Sequence, residues 1–201
     1  MFIAMDAKAQ LGVGVGYNLL NTKATVAEES ESDALNGFYV EATYDFNFLD
    51  ANWGKLGIQP GIRYTFGCEA ESEEVLGVKA RASFTEHYLD VPVLVKYGYD
   101  VVSSKLNVHA FAGPVFSVGL ASDIKASADG ESVKSSNYKD SEYGRFDLKF
   151  GLGAGVTVAE RFNVKLGYNF GLLNRYTGEQ VENIKTKMHT GVFYVGVGYN
   201  F

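Results

Sequence analysis

The residues of this sequence that could do chemistry are few and scattered. Three histidines, His87, His109 and His189, stand far apart along the chain. A metal site or an activated nucleophile needs such groups held together, and no closely spaced set of His, Ser and acid is present. The one cysteine, Cys68, excludes an intrachain disulfide and a cysteine-based zinc site, and its place at a segment end points to an inert thiol. Two acidic runs, Glu28-Glu29-Ser30-Glu31-Ser32-Asp33 and Glu69-Ala70-Glu71-Ser72-Glu73-Glu74, carry calcium-type ligands. They lack the spacing of a calcium loop and read as solvated surface charge. Gly12-x-Gly14-x-Gly16 and Gly151-x-Gly153-x-Gly155 lack the strand-turn-helix setting of a nucleotide loop. The sequence thus points to no catalytic, metal-binding or cofactor-binding residue, and the expectation is that the protein is not an enzyme. A net charge of −6 argues against nucleic acid as a partner, since phosphate contacts need a basic surface.

The elements that must carry these residues announce themselves by period-two alternation, the mark of half-buried strands. Eight segments show it: 10–20, 37–48, 55–68, 84–99, 105–120, 145–158, 162–172 and 190–201. In the seventh, Phe162, Val164, Leu166, Tyr168 and Phe170 alternate with Asn163, Lys165, Gly167 and Asn169. No segment is helical in period, and no apolar stretch is long enough for a spanning helix. Twenty-three glycines and 27 Phe and Tyr residues with only 3 prolines suit β-structure. The connectors alternate in length. Long polar stretches, read as loops, cover 21–36, 69–83, 121–144 and 173–189, and short ones cover 49–54, 100–104 and 159–161. A meander then has every long loop at one end, as outer-membrane barrels do. The fold class expected is all-β, an eight-stranded antiparallel up-and-down transmembrane β-barrel.

Facing follows from the two sets of side chains. An eight-stranded barrel is just wide enough inside for side chains to fill it. Rows of Phe, Tyr, Leu and Val would crowd that space, whereas the other face mixes glycine with long charged chains. Those charges balance: Glu41, Asp45, Glu86, Asp90 and Asp147 against Arg63, Lys96, Arg145, Lys149 and Lys165. Buried charge is tolerated when paired, so these ten are expected to form an interior salt-bridge network that plugs the barrel, with His109 joining it. The four long stretches hold 15 acids and 9 bases, which places the whole net charge there. Aromatics on the apolar face gather in two girdles. One comprises Phe46, Phe48, Tyr97, Tyr99, Phe162, Tyr199 and Phe201; the other comprises Tyr17, Phe38, Tyr64, Phe66, Phe84, Phe146 and Phe170. His87 is expected at this second interface. A soluble, lipocalin-like carrier of an apolar ligand is the alternative, and it requires the apolar face inside.

Residues 1–9 read as a residual signal-peptide tail, with Ala7-Lys8-Ala9 resembling a cleavage site, or as a disordered terminus; 10–201 form the single barrel domain. Pro60, Pro92 and Pro114 fall inside strands, where a lost ladder bond predicts bulges or breaks. Four stretches resemble the small outer-membrane barrels common in Bacteroidetes, often labelled porin-family or PorT-like. They are Gln59-Pro60-Gly61, Tyr88-Leu89-Asp90-Val91-Pro92-Val93-Leu94-Val95-Lys96-Tyr97, Ala112-Gly113-Pro114 and Leu166-Gly167-Tyr168-Asn169-Phe170-Gly171-Leu172. The terminal Tyr199-Asn200-Phe201 resembles the signal read by barrel-assembly machinery, with Phe201 as its key residue. The resemblance implies an architecture like OmpX and the OmpA membrane domain, located in the outer membrane with periplasmic termini. It implies no activity and no cofactor. The partners expected are outer-membrane lipid, the assembly machinery and an extracellular partner at 21–36, 69–83, 121–144 and 173–189, with the chain a monomer. A lipid-modifying enzyme on the same barrel is the other alternative.

Overall fold

The structure, a computed structural model, describes residues 8–26, 29–51, 53–75, 78–102, 105–128, 131–140, 143–178 and 186–201. Among the described residues nine strands and one short helix follow in chain order. They are β1 (Lys8–Val26), β2 (Glu29–Ala51), β3 (Gly54–Val75), β4 (Val78–Val102), β5 (Leu106–Ala128), β6 (Glu131–Ser136), α1 (Asn137–Asp140), β7 (Phe146–Val158), β8 (Phe162–Gly171) and β9 (Thr186–Asn200). Every pairing is antiparallel, and eight strands close a ring in the order β4-β3-β2-β1-β9-β8-β7-β5, with β5 returning to β4. The ninth, β6, folds back on the far end of β5 outside the ring.

The alternation decides which side faces in. Asn163, Lys165, Gly167 and Asn169 of β8 are buried, while Phe162, Val164, Leu166 and Phe170 are exposed on the outer wall. The same rule holds round the ring, so the apolar band lies outside and the polar side chains lie inside. That arrangement excludes the lipocalin-like alternative. Trp53 stacks on Tyr97 at 6.2 Å, and Phe162 meets Tyr199 edge-on, both near the short-turn end. Phe84 departs from the expected girdle. It packs inward against Leu20, Leu35, Tyr88 and Val192, because even-numbered residues of β4 face the lumen there.

Three of the four long polar stretches, 21–36, 69–83 and 121–144, are not loops for most of their length. The β1–β2 ladder continues to Val26↔Glu29 and the β3–β4 ladder to Val75↔Val78. Polarity in 21–36 and 69–83 marks where strands leave the apolar band, not where they end. Residues 1–7 of the stretch 1–9 lie outside the described residues, while Lys8 and Ala9 pair with Asn47 and Phe46 at the start of β1.

All three prolines interrupt ladders without shifting register. Pro60 coincides with a gap between Thr43↔Gly61 and Phe46↔Ile58, Pro92 with one between Pro60↔Val93 and Arg63↔Asp90, and Pro114 with one between Pro92↔Val115 and Val95↔Ala112. Each proline lacks the N–H that its neighbour strand would accept. The register shifts lie elsewhere, at Asn47/Leu49, His87/Tyr88 and Asp100/Val102.

Beyond Asn36↔Cys68 strands β2 and β3 part company. Strand β2 stays on β1 and β3 stays on β4, so the protruding half splits into two sheets, β2–β1–β9 and β3–β4–β5–β6.

Candidate functional site: the barrel interior and its long-hairpin mouth

Neighbouring strands bring the interior charges together because their registers place them side by side. Glu41 lies opposite Arg63, and Arg63 opposite Asp90. The Arg63 guanidinium donates to Glu41 from Nε at 3.0 Å and from Nη2 at 2.8 Å, and Lys165 closes on the other carboxylate oxygen. The same guanidinium lies 4.6 Å from the Tyr39 ring centre and 4.1 Å from that of Tyr194. These two phenols cross the lumen only because Gly196 and Gly167 leave room; a Cβ at either would collide with a tyrosine hydroxyl. Below this layer Asp45 accepts from Gln59 at 2.7 Å and from Lys96 at 2.9 Å. Above it Asp90 accepts from Thr65 at 2.7 Å and from Ser117, with Lys149 3.6 Å away. Asp147 is fully buried nearby. Apolar side chains fill the gaps: Leu94, Phe111 and Val115 pack with the tyrosine pair.

Nine of the ten residues expected in the network point inward, but Asp147 makes no ion pair or hydrogen bond through either carboxylate oxygen among the described residues, and the tenth, Arg145, is exposed. It precedes β7, so strand parity does not govern it. Its guanidinium donates to the carbonyls of Gly119 and Leu120 at 3.2 Å and covers the Tyr138 ring at 4.5 Å. The fifth interior base is Arg175, which sequence reasoning placed among the solvated loop charges. It is 1% exposed. His109 is buried beside Phe111 and Gly155 rather than bonded into the charge network at Nδ1. His87 sits on the outer wall as expected, its Nδ1 2.6 Å from the Tyr64 hydroxyl.

Arg175 organises the long-hairpin mouth. Nη1 donates to the hydroxyls of Tyr88 at 2.6 Å, Tyr143 at 2.7 Å and Thr190 at 3.2 Å; Nη2 donates to Tyr138 at 3.1 Å. Nε and Nη2 both reach the Gly144 carbonyl, at 3.0 and 2.8 Å. The hydroxyls of Tyr88 and Tyr143 in turn donate to buried Glu86, which also takes Ser122 at 3.3 Å. Glu86 and Arg175 are thus an ion pair with two phenols interposed. Burial, then the Glu86 carboxylate, push the Tyr143 phenol up to about 12, which keeps its proton in place as a donor. The backbone follows the side chain. Gly144 N–H donates to the Arg175 carbonyl at 2.7 Å and Arg175 N–H to that of Met188 at 2.8 Å, which straps residues 143–144 to β9.

A closed ring with an apolar wall, a filled polar lumen and hairpins of unequal length is the architecture of a membrane-spanning barrel. The sequence matches the outer membrane protein β-barrel domain over residues 5–176. The chain belongs to that family. Its place is the bacterial outer membrane. Among solved structures the barrel is similar to Ail, the attachment invasion locus protein of Yersinia pestis, at 14% identity over 96% of this chain and 99% of that one, with a TM-score of 0.47. It is similar to OprG from Pseudomonas aeruginosa at 15% identity over 100% and 99%, with a TM-score of 0.43. It is also similar to the outer membrane enzyme PagL at 11% identity over 92% and 98%, with a TM-score of 0.49. At such identities no activity carries across. No curated protein sequence matches this one.

Proposed function

We propose that this barrel is a non-conducting, non-enzymatic scaffold that presents its two protruding sheets to an extracellular partner. In this reading the short turns and both ends of the described chain face the periplasm, the long hairpins face outward, and the barrel works as a monomer in outer-membrane lipid. The likeness of its motifs to the small barrels of Bacteroidetes belongs to the same reading.

One observation supports it: most of the charged side chains inside the ring are paired with one another, while the strands run on above as polar, hydrogen-bonded sheet. The β1–β2 ladder adds pairs from Leu19↔Asn36 to Val26↔Glu29 beyond the girdle residues Tyr17 and Phe38. Ordering that much backbone outside the membrane costs roughly 1–2 kcal/mol per residue, which a mere connector would avoid. The dispersal of His87, His109 and His189 supports the non-enzymatic part.

The test is labelling of intact cells with a membrane-impermeant maleimide, in a Cys68→Ser background. Ser30→Cys, exposed on β2, should react on intact cells, and Lys105→Cys, exposed at a short turn, only after lysis. The reverse pattern would overturn the orientation and the proposed surface role with it.

A further inference from the structure

The strands that run on above the wall sort their charges by face. Thr22, Asp33, Glu69, Glu86, Ile124 and Met188 line the space between the two protruding sheets, which fixes the inner face of β1, β2, β3, β4, β5 and β9. Glu31 shares the inner parity of Asp33. The opposite parity puts Lys23 of β1, Arg81 of β4, Lys125 of β5 and Lys187 of β9 on the outer face, and Lys134 of β6 joins them because it pairs with Lys125. Of the acids, Asp123 shares that outer face, and Glu74 stands opposite Lys79 near the β3–β4 tip, where the two charges cancel. Acids therefore look into the mouth, and bases look out over the surrounding membrane.

The bases of β4, β5 and β6 make one patch. Lys125 is directly opposite Lys134, and Arg81 is one diagonal step from Lys125, since Arg81 pairs with Ser127 and Lys125 with Ser83. Like charges directly opposite one another destabilise a ladder, yet here two lysines are so placed. Lys134 has a counter-charge, Asp123 at 3.1 Å. Lys125 and Arg81 are exposed and make no ion pair among the described residues. The height of the patch is set by the upper aromatic row, in which His87 lies opposite Phe66 on the outer wall. Ser83, opposite Lys125, is four residues further along β4 than His87. At about 3.3 Å per residue and a tilt of about 40°, Lys125 leaves its strand roughly 10 Å above that row, and a long lysine stem can bend back to the interface. This face continues the lipid-covered wall upward, so headgroups are its immediate neighbours.

We propose that the outer face of β4–β5–β6 binds a phosphate group on the headgroup of a lipid that surrounds the barrel. The phosphate lies between Lys125 and Lys134 and removes the repulsion between them, and the Arg81 guanidinium closes on it from the side with charge-assisted hydrogen bonds. The acyl chains of the same lipid run down the apolar wall past Leu120 and Val118, which are exposed below the patch on β5. Strand β6 pairs with β5 alone, so a lipid held across the two also steadies the one strand that lies outside the ring. A lipid without the phosphate meets only the apolar wall and gains nothing from the patch.

This inference rests on the reading of the barrel as embedded in outer-membrane lipid and names the lipid chemistry that one face takes. The probe is dioleoylphosphatidic acid, added to the purified full-length barrel in a non-ionic detergent and followed as adducts by native mass spectrometry. Dioleoylglycerol, the same body without the phosphate, is the control. A saturating adduct of the phosphatidic acid alone is expected. Each base beside an anionic lipid is worth about fivefold, so Arg81→Gln/Lys125→Gln should weaken the tightest adduct by about tenfold or more. Lys105→Gln/Arg161→Gln removes the same charge at the short-turn end and should leave that adduct nearly unchanged. All four side chains are exposed, so both variants should fold, as their heat-dependent gel shifts would verify. Equal adducts with dioleoylglycerol, no saturating adduct, or equal weakening in the two double variants would each overturn the proposal. Displacement of the lipid by millimolar inorganic phosphate would also overturn it, by making the patch a site for the free anion. Labelling of Ser30→Cys on intact cells reads the outward facing separately, so loss of one result leaves the other standing.

Discussion

Replacing Arg175 by methionine should loosen the long-hairpin mouth without opening the barrel. Methionine fills much the same space but donates nothing. The change strips donors from the Gly144 carbonyl and from the hydroxyls of Tyr88, Tyr138, Tyr143 and Thr190, and leaves Glu86 without its compensating charge. Each buried polar group left without a partner costs about 1–3 kcal/mol, and removing one member of a buried charge arrangement costs about 3–5 kcal/mol. The phenols can still bond to Glu86 and to one another, so the lower figure is the better guide, about 3–4 kcal/mol. The loss is local, because among the described residues the hydrogen bonds of Arg175 reach only Tyr138, Tyr143, Gly144, Tyr88 and β9. Hydrogen exchange at the Gly144 and Met188 amides, which donate to the Arg175 carbonyl and the Asn174 side chain, reads it directly. Protection there should fall by about two to three powers of ten, at about 1.4 kcal/mol per tenfold, while amides of β7 and β8 keep theirs. Arg175→Lys should recover only part, since a point charge cannot replace a five-donor fork. Exchange within threefold of wild type in Arg175→Met would refute the view that this side chain organises the mouth.

Two further changes probe the wall and a turn. Phe150 lies on the outer face of β7 opposite Phe170, so Phe150→Asp loses apolar contact with lipid and puts a carboxylate there, costing roughly 2–4 kcal/mol; folding into lipid vesicles, followed by the fraction that shows a heat-dependent gel shift, should drop sharply, and unchanged folding would count against the facing. The β7–β8 turn holds Ala159 at φ 51° and Glu160 at φ 60°, in the left-handed region; Ala159→Asn/Glu160→Gly supplies the residues such a turn favours and should raise the urea midpoint by an amount worth about 1 kcal/mol.

The ring of eight strands was legible because period-two alternation is a strong signal when one face meets lipid and the other a packed polar lumen. The interior charges were legible for a related reason: Glu41, Arg63 and Asp90 sit inside regular strands, so parity alone aims them inward. Where parity stops, so did the reading. Arg145 stands one residue before β7 begins and turns outward, and Arg175 lies beyond β8 in a stretch with no period to read. The two exchanged places, so the balance of five acids and five bases inside survives with Arg175 in the fifth position. The only hint in the sequence was its tyrosine company, Tyr88, Tyr138 and Tyr143, which no local spacing connects to residue 175. The length of the protruding sheets has no mark in the sequence, because a ladder rich in Thr, Ser, Glu and Ala has the polar composition of a loop. Phe84 shares the parity of Glu86 and Asp90, and that parity rather than its aromatic character sets its inward facing.

The central claim is that the lumen is closed, so that whatever this barrel does happens at its surface. Current recording on the purified protein in a planar lipid bilayer tests it most directly. If the layers built on Arg63 with Tyr39 and Tyr194, on Asp45 with Lys96 and Gln59, and on Asp90 with Lys149 close the lumen as proposed, the membrane should show no unitary steps above baseline. Reproducible, protein-dependent conductance steps would contradict the plug and return the barrel to the class of pores.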